Sequence, residues 1–457
     1  MTVASIVFAL ALVTGAHAQP AQEDTSDEPA ELDPVEAESA ETDEDEERPA
    51  AVVEAPPTAG PFAIDTVVPA GVRVLIARDT TLPVASVVLA LETGTEDDPD
   101  DRPGLVHALA YHLLQGNREL PPEGVARIAH DGGGVTSMAI GPAQIRFESL
   151  VPVSLLDDMV RAESQRLRSP TVDEALWNES LGWARRDARR NRALAPEALA
   201  ALHDAEGLAR AGRSASPELR TITPPAVARA LAERMSYTRA TLVVVSPLDP
   251  AEVLERVHAH FGDLPSRSRQ VDDRFSPTRA QDGPRRFEQP EANGSVVAWP
   301  VPPGTEELER ARVLCRVLNR QRRDESEPAR ARVRCHLDED PRRGALVVRV
   351  SGTDDALAIV GSRMRRIVEG EDDRLLEQQA RVVARALALE LSTPLGLARR
   401  LATSDPRTKQ VRASRADRPL QQLTGLRATA DTSTQRAAIA ERYPLEAALH
   451  IVPARAP

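Results

Sequence analysis

The chain has 457 residues, enough for two or three domains that each bury a core, and it is rich in Arg, Ala and Pro but nearly free of lysine. Its net charge of −13 is concentrated at one end: residues 19–60 hold 15 Asp or Glu against Arg48 alone, a net −14, which leaves +1 for everything else. The acidity therefore describes one segment, and no concentrated basic run argues for nucleic acid.

Ile6 to Val13 form an apolar run too short to span a bilayer, followed by Ala16-His17-Ala18, a small-x-small cleavage pattern. No Lys or Arg precedes the run. The expectation is an export signal over 1–18, giving a periplasmic or extracellular protein; the alternative is a buried N-terminal helix. No other segment reads as a membrane span. Residues 19–61 are Glu/Asp/Pro/Ala-rich with few large apolar side chains, and burial there cannot offset the entropy of ordering, so an acidic linker is expected.

From Phe62 the pattern alternates between strand and helix. Val72–Ile76 and Val84–Leu91 are β-branched runs bounded by turn residues. Gly104–Gly116 carries apolar residues at helical spacing, Pro122–His130 predicts a short second helix, and Gly132-Gly133-Gly134 stops it. That triplet has no helix N-terminus or Lys after it, so it reads as a turn and not a phosphate loop. Val135–Val151 predicts a hairpin about Gly141-Pro142. Helices are expected over 153–167, 172–191, 196–211 and 224–235, then a strand at 241–245 and a helix at 250–261. Within the last, His258 and His260 point to different sides as ordinary surface residues. Residues 266–284 are polar and aperiodic, a linker.

Beyond residue 284 the pattern reads as a shorter second copy. The strand Val87–Leu91 runs into Gly94-Thr95-Glu96 and a helix; Ser295–Trp299 runs into Gly304-Thr305-Glu306 and a helix. Each unit ends alike, with Ala232-Glu233-Arg234 and Ala440-Glu441-Arg442 each leading to an apolar strand that stops at proline. The domains are therefore expected over 62–265 and 285–457. Cys315, on a predicted helix, and Cys335, on a predicted strand, are the two cysteines; a disulfide and a pair of buried thiols both remain open.

Gly104-Leu105-Val106-His107-Ala108-Leu109-Ala110-Tyr111-His112-Leu113-Leu114-Gln115-Gly116-Asn117 resembles the G-L-A-H-x-x-E-H-x-x-x-x-G-T segment of the insulinase/pitrilysin zinc peptidases. The glycine turn, the hairpin, the Leu155–Met159 helix start and Phe261-Gly262-Asp263-Leu264-Pro265 fit the same family. The resemblance spans 62–457 and implies an α+β fold: two tandem, similar α/β-sandwich domains of the processing-peptidase type, forming half of a clam-shell.

In that motif two histidines bind zinc and the glutamate between them activates the bound water. Here His107 matches the first histidine, Ala110 replaces the glutamate and Tyr111 replaces the second histidine. His112 lies five residues on from His107, off its face. By the family's spacing the third ligand falls near Arg186, in a helix that also holds Glu179 and Asp187, and a basic cluster there repels a cation. Arg185-Arg186 and Arg189-Arg190 otherwise read as a solvated face. His107 is then a satisfied helix histidine, and no zinc cofactor and no catalytic residue are expected in this chain.

Partner chains of the family often keep an Arg and a Tyr in the second domain to hold substrate; Arg330–Val350 has arginines but no tyrosine. Thr136-Ser137 stands where the family has Asn-Ala on its substrate-pairing strand. The resemblance implies a non-catalytic subunit that pairs with a zinc-bearing homologous chain and meets extended peptide. The alternatives are an envelope scaffold or binding protein on the same fold, and an active hydrolase with a metal set rebuilt from His107, His112 and His130.

Overall fold

A computed structural model describes residues 64–453, apart from 118, 122, 169, 171, 191–201, 203–216, 266–284, 290–294, 302–304, 326, 340–343, 354 and 404–431. The expected signal, acidic segment, 196–211 helix and 266–284 linker thus fall outside the described residues, Leu202 excepted.

The first half comprises β1 (Ile64–Val67), β2 (Arg73–Arg78), β3 (Val84–Leu91), α1 (Leu105–Leu114), α2 (Gly124–Asp131), β4 (Val135–Ile140) and β5 (Ile145–Pro152). It continues with α3 (Leu156–Arg168), α4 (Glu174–Arg190), α5 (Pro224–Arg234), β6 (Ala240–Ser246) and α6 (Pro250–Phe261). The second half has β7 (Arg285–Gln289), β8 (Ser295–Pro300), α7 (Thr305–Arg320), β9 (Arg332–Asp338) and β10 (Ala345–Ser351). It ends with α8 (Ala356–Glu369), α9 (Asp373–Leu391), α10 (Pro394–Ala402), α11 (Thr432–Arg442) and β11 (Leu449–Pro453). The helix expected from 153 begins at Leu156, because Val153–Leu155 form a 3₁₀ turn as the chain leaves β5.

Two sheets carry the fold, ordered β1-β2-β6-β3-β5-β4 and β7-β11-β8-β10-β9. Omit β1, and each position has a counterpart with the same sense: β2 with β6 and β7 with β11 are parallel, and every other neighbouring pair is antiparallel. The repeated punctuation in the sequence reflects a repeated sheet. The second copy is shorter because, among the described residues, it has no strand matching β1 and no helix matching α2.

The near-continuous apolar runs of β3 and β6 need cover on both faces. Ala85, Val87, Leu89 and Leu91 enter the larger core with α1 and α3, whereas Val88 and Ala90 point the other way. There α10, from the second half, seals Leu75, Val88, Ala90, Val243 and Val245 with Leu397, Ala398 and Ala402. Its fit is polar as well. Arg399 reaches the buried Glu148 on β5, Arg400 reaches Glu309 on α7, and Gln144 donates Nε2–H to the Ala402 carbonyl at 2.9 Å. The packing of the first sheet is therefore completed by residues more than a hundred positions beyond the 266–284 stretch.

Each half also treats the end of its leading helix alike. The last carbonyls of an α-helix lack intrahelical donors. Arg166, held bidentately by Glu163, donates to the Leu113 carbonyl; Arg363, held by Glu327, donates to the Leu318 carbonyl. Cys315 on α7 and Cys335 on β9 are joined in a disulfide with Cα atoms 5.2 Å apart. Asn319 bridges beside it, donating to the Cys335 carbonyl and accepting its N–H, both at 2.8 Å.

Candidate functional site

The motif segment forms α1, and the approach to it is fixed by close backbone contact. A Cβ on Gly94 would lie 2.0 Å from the Pro142 carbonyl oxygen, so only glycine lets the β3 exit lie against the β4–β5 turn. The Thr95 and Glu96 amides then donate to the Gly141 and Pro142 carbonyls. Asp98 caps the coming helix: its carboxylate accepts the Gly104 amide at 2.6 Å and the Val106 amide at 2.7 Å. Burial pushes the Asp98 carboxyl up to about 6, against the opposing pull of those amides and of nearby His107 and Arg234.

His107, Ala110 and Tyr111 lie on α1 beside α4 and are all buried. The His107 ring stacks on Tyr111, centroids 5.5 Å apart and planes 14° from parallel, while Nε2 meets Asp187 Oδ2 of α4 at 2.9 Å. Position 110 offers a methyl group where the motif has its base. The third-ligand position counted along the sequence falls near Arg186; the residue of α4 that meets His107 is Asp187, one place on. On α4 a single step turns the side chain about 100°. That step brings Asp187 to α1, while Arg186 is exposed with its guanidinium 4.1 Å from the Trp183 ring centre.

His112 faces a different part of α4. Its Nδ1 lies 3.3 Å from Ser180 Oγ, and its ring meets Trp177 edge-on at 5.8 Å. Ser180 and Asp187 are seven residues apart, roughly 10 Å along a helix, so the helices run antiparallel and His107 and His112 serve separate contacts. His130 is exposed at the end of α2. The set His107, His112 and His130 is thus not assembled. Nor, among the described residues, does any group of three or more His, Cys, Asp or Glu side chains converge as a metal site. Zinc does not fit here: one histidine already bonded to one carboxylate leaves the coordination shell without a second imidazole. His258 and His260 are exposed or half-buried, the latter with Nε2 at 3.0 Å from Asp157.

β4 is the outermost strand on its side of the first sheet, with no described strand beyond it. Thr136 and Ser137 lie on it, and Ser137 turns inward to donate to Glu148 Oε2 at 3.0 Å. Burial alone would raise Glu148, but Arg146 and Arg399 outweigh it and hold this carboxyl below its ordinary value. Asp98 and Asp187 are the residues hardest to find from sequence. For Asp98 the available signal is an acid just before a Pro-Gly helix start, and for Asp187 the one-residue uncertainty of counting along α4.

No protein-family model matches the sequence, and no curated protein resembles it. Solved structures do. A protease from Helicobacter pylori superposes with a TM-score of 0.65 at 13% identity, over 86% of this chain and 99% of that one. A peptidase M16 inactive domain from Pseudomonas fluorescens gives 0.64 at 10% identity, over 85% and 97%. The periplasmic protease PqqL from Escherichia coli gives 0.61 at 15% identity, covering 88% of this chain but 48% of PqqL. The first half of PqqL alone is matched over 93% of its length. The chain therefore has the fold of an insulinase-like M16 peptidase unit, two similar α/β sandwiches, with Ala110 and Tyr111 at the positions of the motif's glutamate and second histidine.

Proposed function

We propose that this protein is a non-catalytic, exported subunit that pairs with a zinc-bearing homologous chain and completes its chamber around an extended peptide. The observation that carries the reading is the rebuilt motif face. Ala110 offers no base, Tyr111 offers a ring to His107, and Asp187 occupies His107, all on an otherwise complete two-sheet frame. The open β4 edge supports a role in holding peptide, since an unpaired strand offers its backbone donors and acceptors to an extended segment. The match to half of PqqL supports the need for a second, similar unit. Zinc would then belong to the partner, with no cofactor in this chain.

A stand-alone envelope scaffold is the second reading. Thr136 and Ser137 in place of Asn-Ala, and the lack of a tyrosine between Arg330 and Val350, favour it.

Native mass spectrometry of the mature protein, purified gently from its own cell envelope, separates these readings. The expected species is a complex with a second chain of similar size and one zinc ion. A metal-free chain alone would move the assignment to the scaffold, and zinc on this chain itself would overturn the non-catalytic reading.

A further inference from the structure

Helix α10, from the second half, grips the β4–β5 hairpin at two points. Arg399 donates Nε–H at 2.8 Å and Nη2–H at 2.7 Å to Oε2 of Glu148 on β5. The same oxygen accepts the hydroxyl of Ser137 on β4 at 3.0 Å, because Ser137 and Glu148 are ladder partners. Near the turn, the Ala402 carbonyl in the last turn of α10 accepts Nε2–H of Gln144. A chain of side chains thus runs from the second half to the outermost strand of the first sheet: Arg399 to Glu148 to Ser137. Glu148 is buried, and Arg146 and Arg399 keep its carboxyl below its ordinary value, so the middle of that chain is a full charge at neutral pH.

Little else fixes the middle of β4. The turn beyond it is docked on the approach to α1, where Thr95 and Glu96 donate to the Gly141 and Pro142 carbonyls, and just before it the Gly134 amide donates to the Ala129 carbonyl. Between those ends, Ser137 makes the strand's one side-chain hydrogen bond among the described residues. In an antiparallel ladder, backbone groups alternate between facing the partner strand and facing away from it. Counted from the Gly141 amide, which donates to the Gln144 carbonyl, the amides of Thr136, Met138 and Ile140 face away from β5. The outer strand of the second sheet is plugged at the matching place: Asn319 of α7 accepts the N–H of Cys335 and donates to its carbonyl, both at 2.8 Å. A strand paired on one side opens locally more easily than a central one, and an edge already held extended spares a binding segment the cost of ordering it.

We propose that Arg399, Glu148 and Ser137 are positioning residues for the β4 edge, through which the second half holds Thr136, Met138 and Ile140 in the extended form that an added peptide strand pairs with. The proposal rests on β4 being the peptide-holding edge. Arg399 acts through Glu148 and touches no peptide itself. With Arg399 removed, Arg146 is the remaining cation on the carboxylate, which turns towards it and away from Ser137. The edge then has to be ordered at the moment of binding, and affinity falls.

The test compares the full-length wild type with Arg399→Met and with Arg399→Lys, which returns a cation to Glu148. Amide hydrogen exchange over 136–140 should quicken by at least about fivefold in Arg399→Met and fall back towards the wild-type rate in Arg399→Lys, while β3 and β9 keep their rates. Fluorescence anisotropy of a labelled decapeptide of alternating Thr and Val gives the second readout. Its Kd should rise by at least about fivefold in Arg399→Met, the low end of coupling between sites, and recover in Arg399→Lys. Exchange that quickens equally in β3 would make Arg399 a general prop of the sheet and overturn the proposal. Unchanged exchange over 136–140, with the peptide bound alike by wild type and variant, would also overturn it and leave the peptide-holding role of β4 standing. Quickened exchange with no peptide bound by the wild type would instead remove that role, and the proposal with it, while the hold of Arg399 on β4 stood.

Discussion

The contact between Glu148 and Arg399 joins the two halves of the sequence, and its energy can be bracketed from its surroundings. Arg399 approaches one carboxylate oxygen through Nε at 2.8 Å and Nη2 at 2.7 Å, while Arg146 and Ser137 hold the same carboxylate from β5 and β4. The Glu148 side chain is 1% exposed and Arg399 29% exposed. Breaking a fully buried pair costs about 3–5 kcal/mol, and an exposed pair is worth about 0.2–1 kcal/mol. Arg146 remains to compensate the carboxylate, and solvent screens part of Arg399. The coupling should therefore lie near ~2 kcal/mol, between those limits. A double-mutant cycle of Glu148→Gln and Arg399→Met, read by urea denaturation, measures it. The depressed Glu148 carboxyl sets the pH window: its stabilisation is present above the ordinary value of 4.5 and is lost as pH falls through the lower folded value. A coupling below about 0.3 kcal/mol, the additivity error for independent sites, would refute the reasoning and leave Arg399 without a share in holding α10.

Asp98 has the opposite sign. Its folded value of about 6 lies above its ordinary 3.8, so its favourable contribution is complete below 3.8 and is lost as pH rises to about 6. Two units correspond to on the order of 3 kcal/mol, and Asp98→Asn should flatten that part of a stability–pH curve. Tyr111→His should add zinc affinity. It would set a second imidazole one turn from His107, beside Asp187, and inductively coupled plasma analysis after zinc loading should rise from near zero towards one ion per chain. An unchanged metal content would show that the α1–α4 geometry cannot hold a cation. Reducing the Cys315–Cys335 bridge, which spans 20 residues, should lower unfolding stability by about 3 kcal/mol through loop-closure entropy, measured as a denaturant midpoint shift.

Much of the fold was legible in the residues. Strands β3 and β6 and helix α6 arise from local patterns: β-branched runs, Pro at a helix start and Asp249 before it, whose side chain accepts the Ala251 amide. The repeated turn and strand endings foretold the repeated sheet, because each copy repeats the same local decisions. The replacement of the motif residues was equally visible, since Ala110 and Tyr111 lack the required donors whatever surrounds them. Which residue of α4 meets His107 was not legible: a one-residue step rotates the side chain about 100°, and the packing of α4 on α1 sets Asp187 there.

By itself, then, the sequence determined the elements, the duplication and the replacement of the motif's glutamate and second histidine by Ala110 and Tyr111, all of which depend on residue type and short-range spacing. Tertiary structure alone decided what closes the outer face of the first sheet. The apolar runs of β3 and β6 demanded a cover but could not name it. Its supplier, α10, lies over 300 residues after β3, and nothing local in Leu397, Ala398, Arg399 or Arg400 tells which buried surface or which carboxylate they will meet. Tertiary structure likewise brought His107 to Asp187 and set Arg334 across from Arg349, pairings that exist only once distant segments are packed or laddered together.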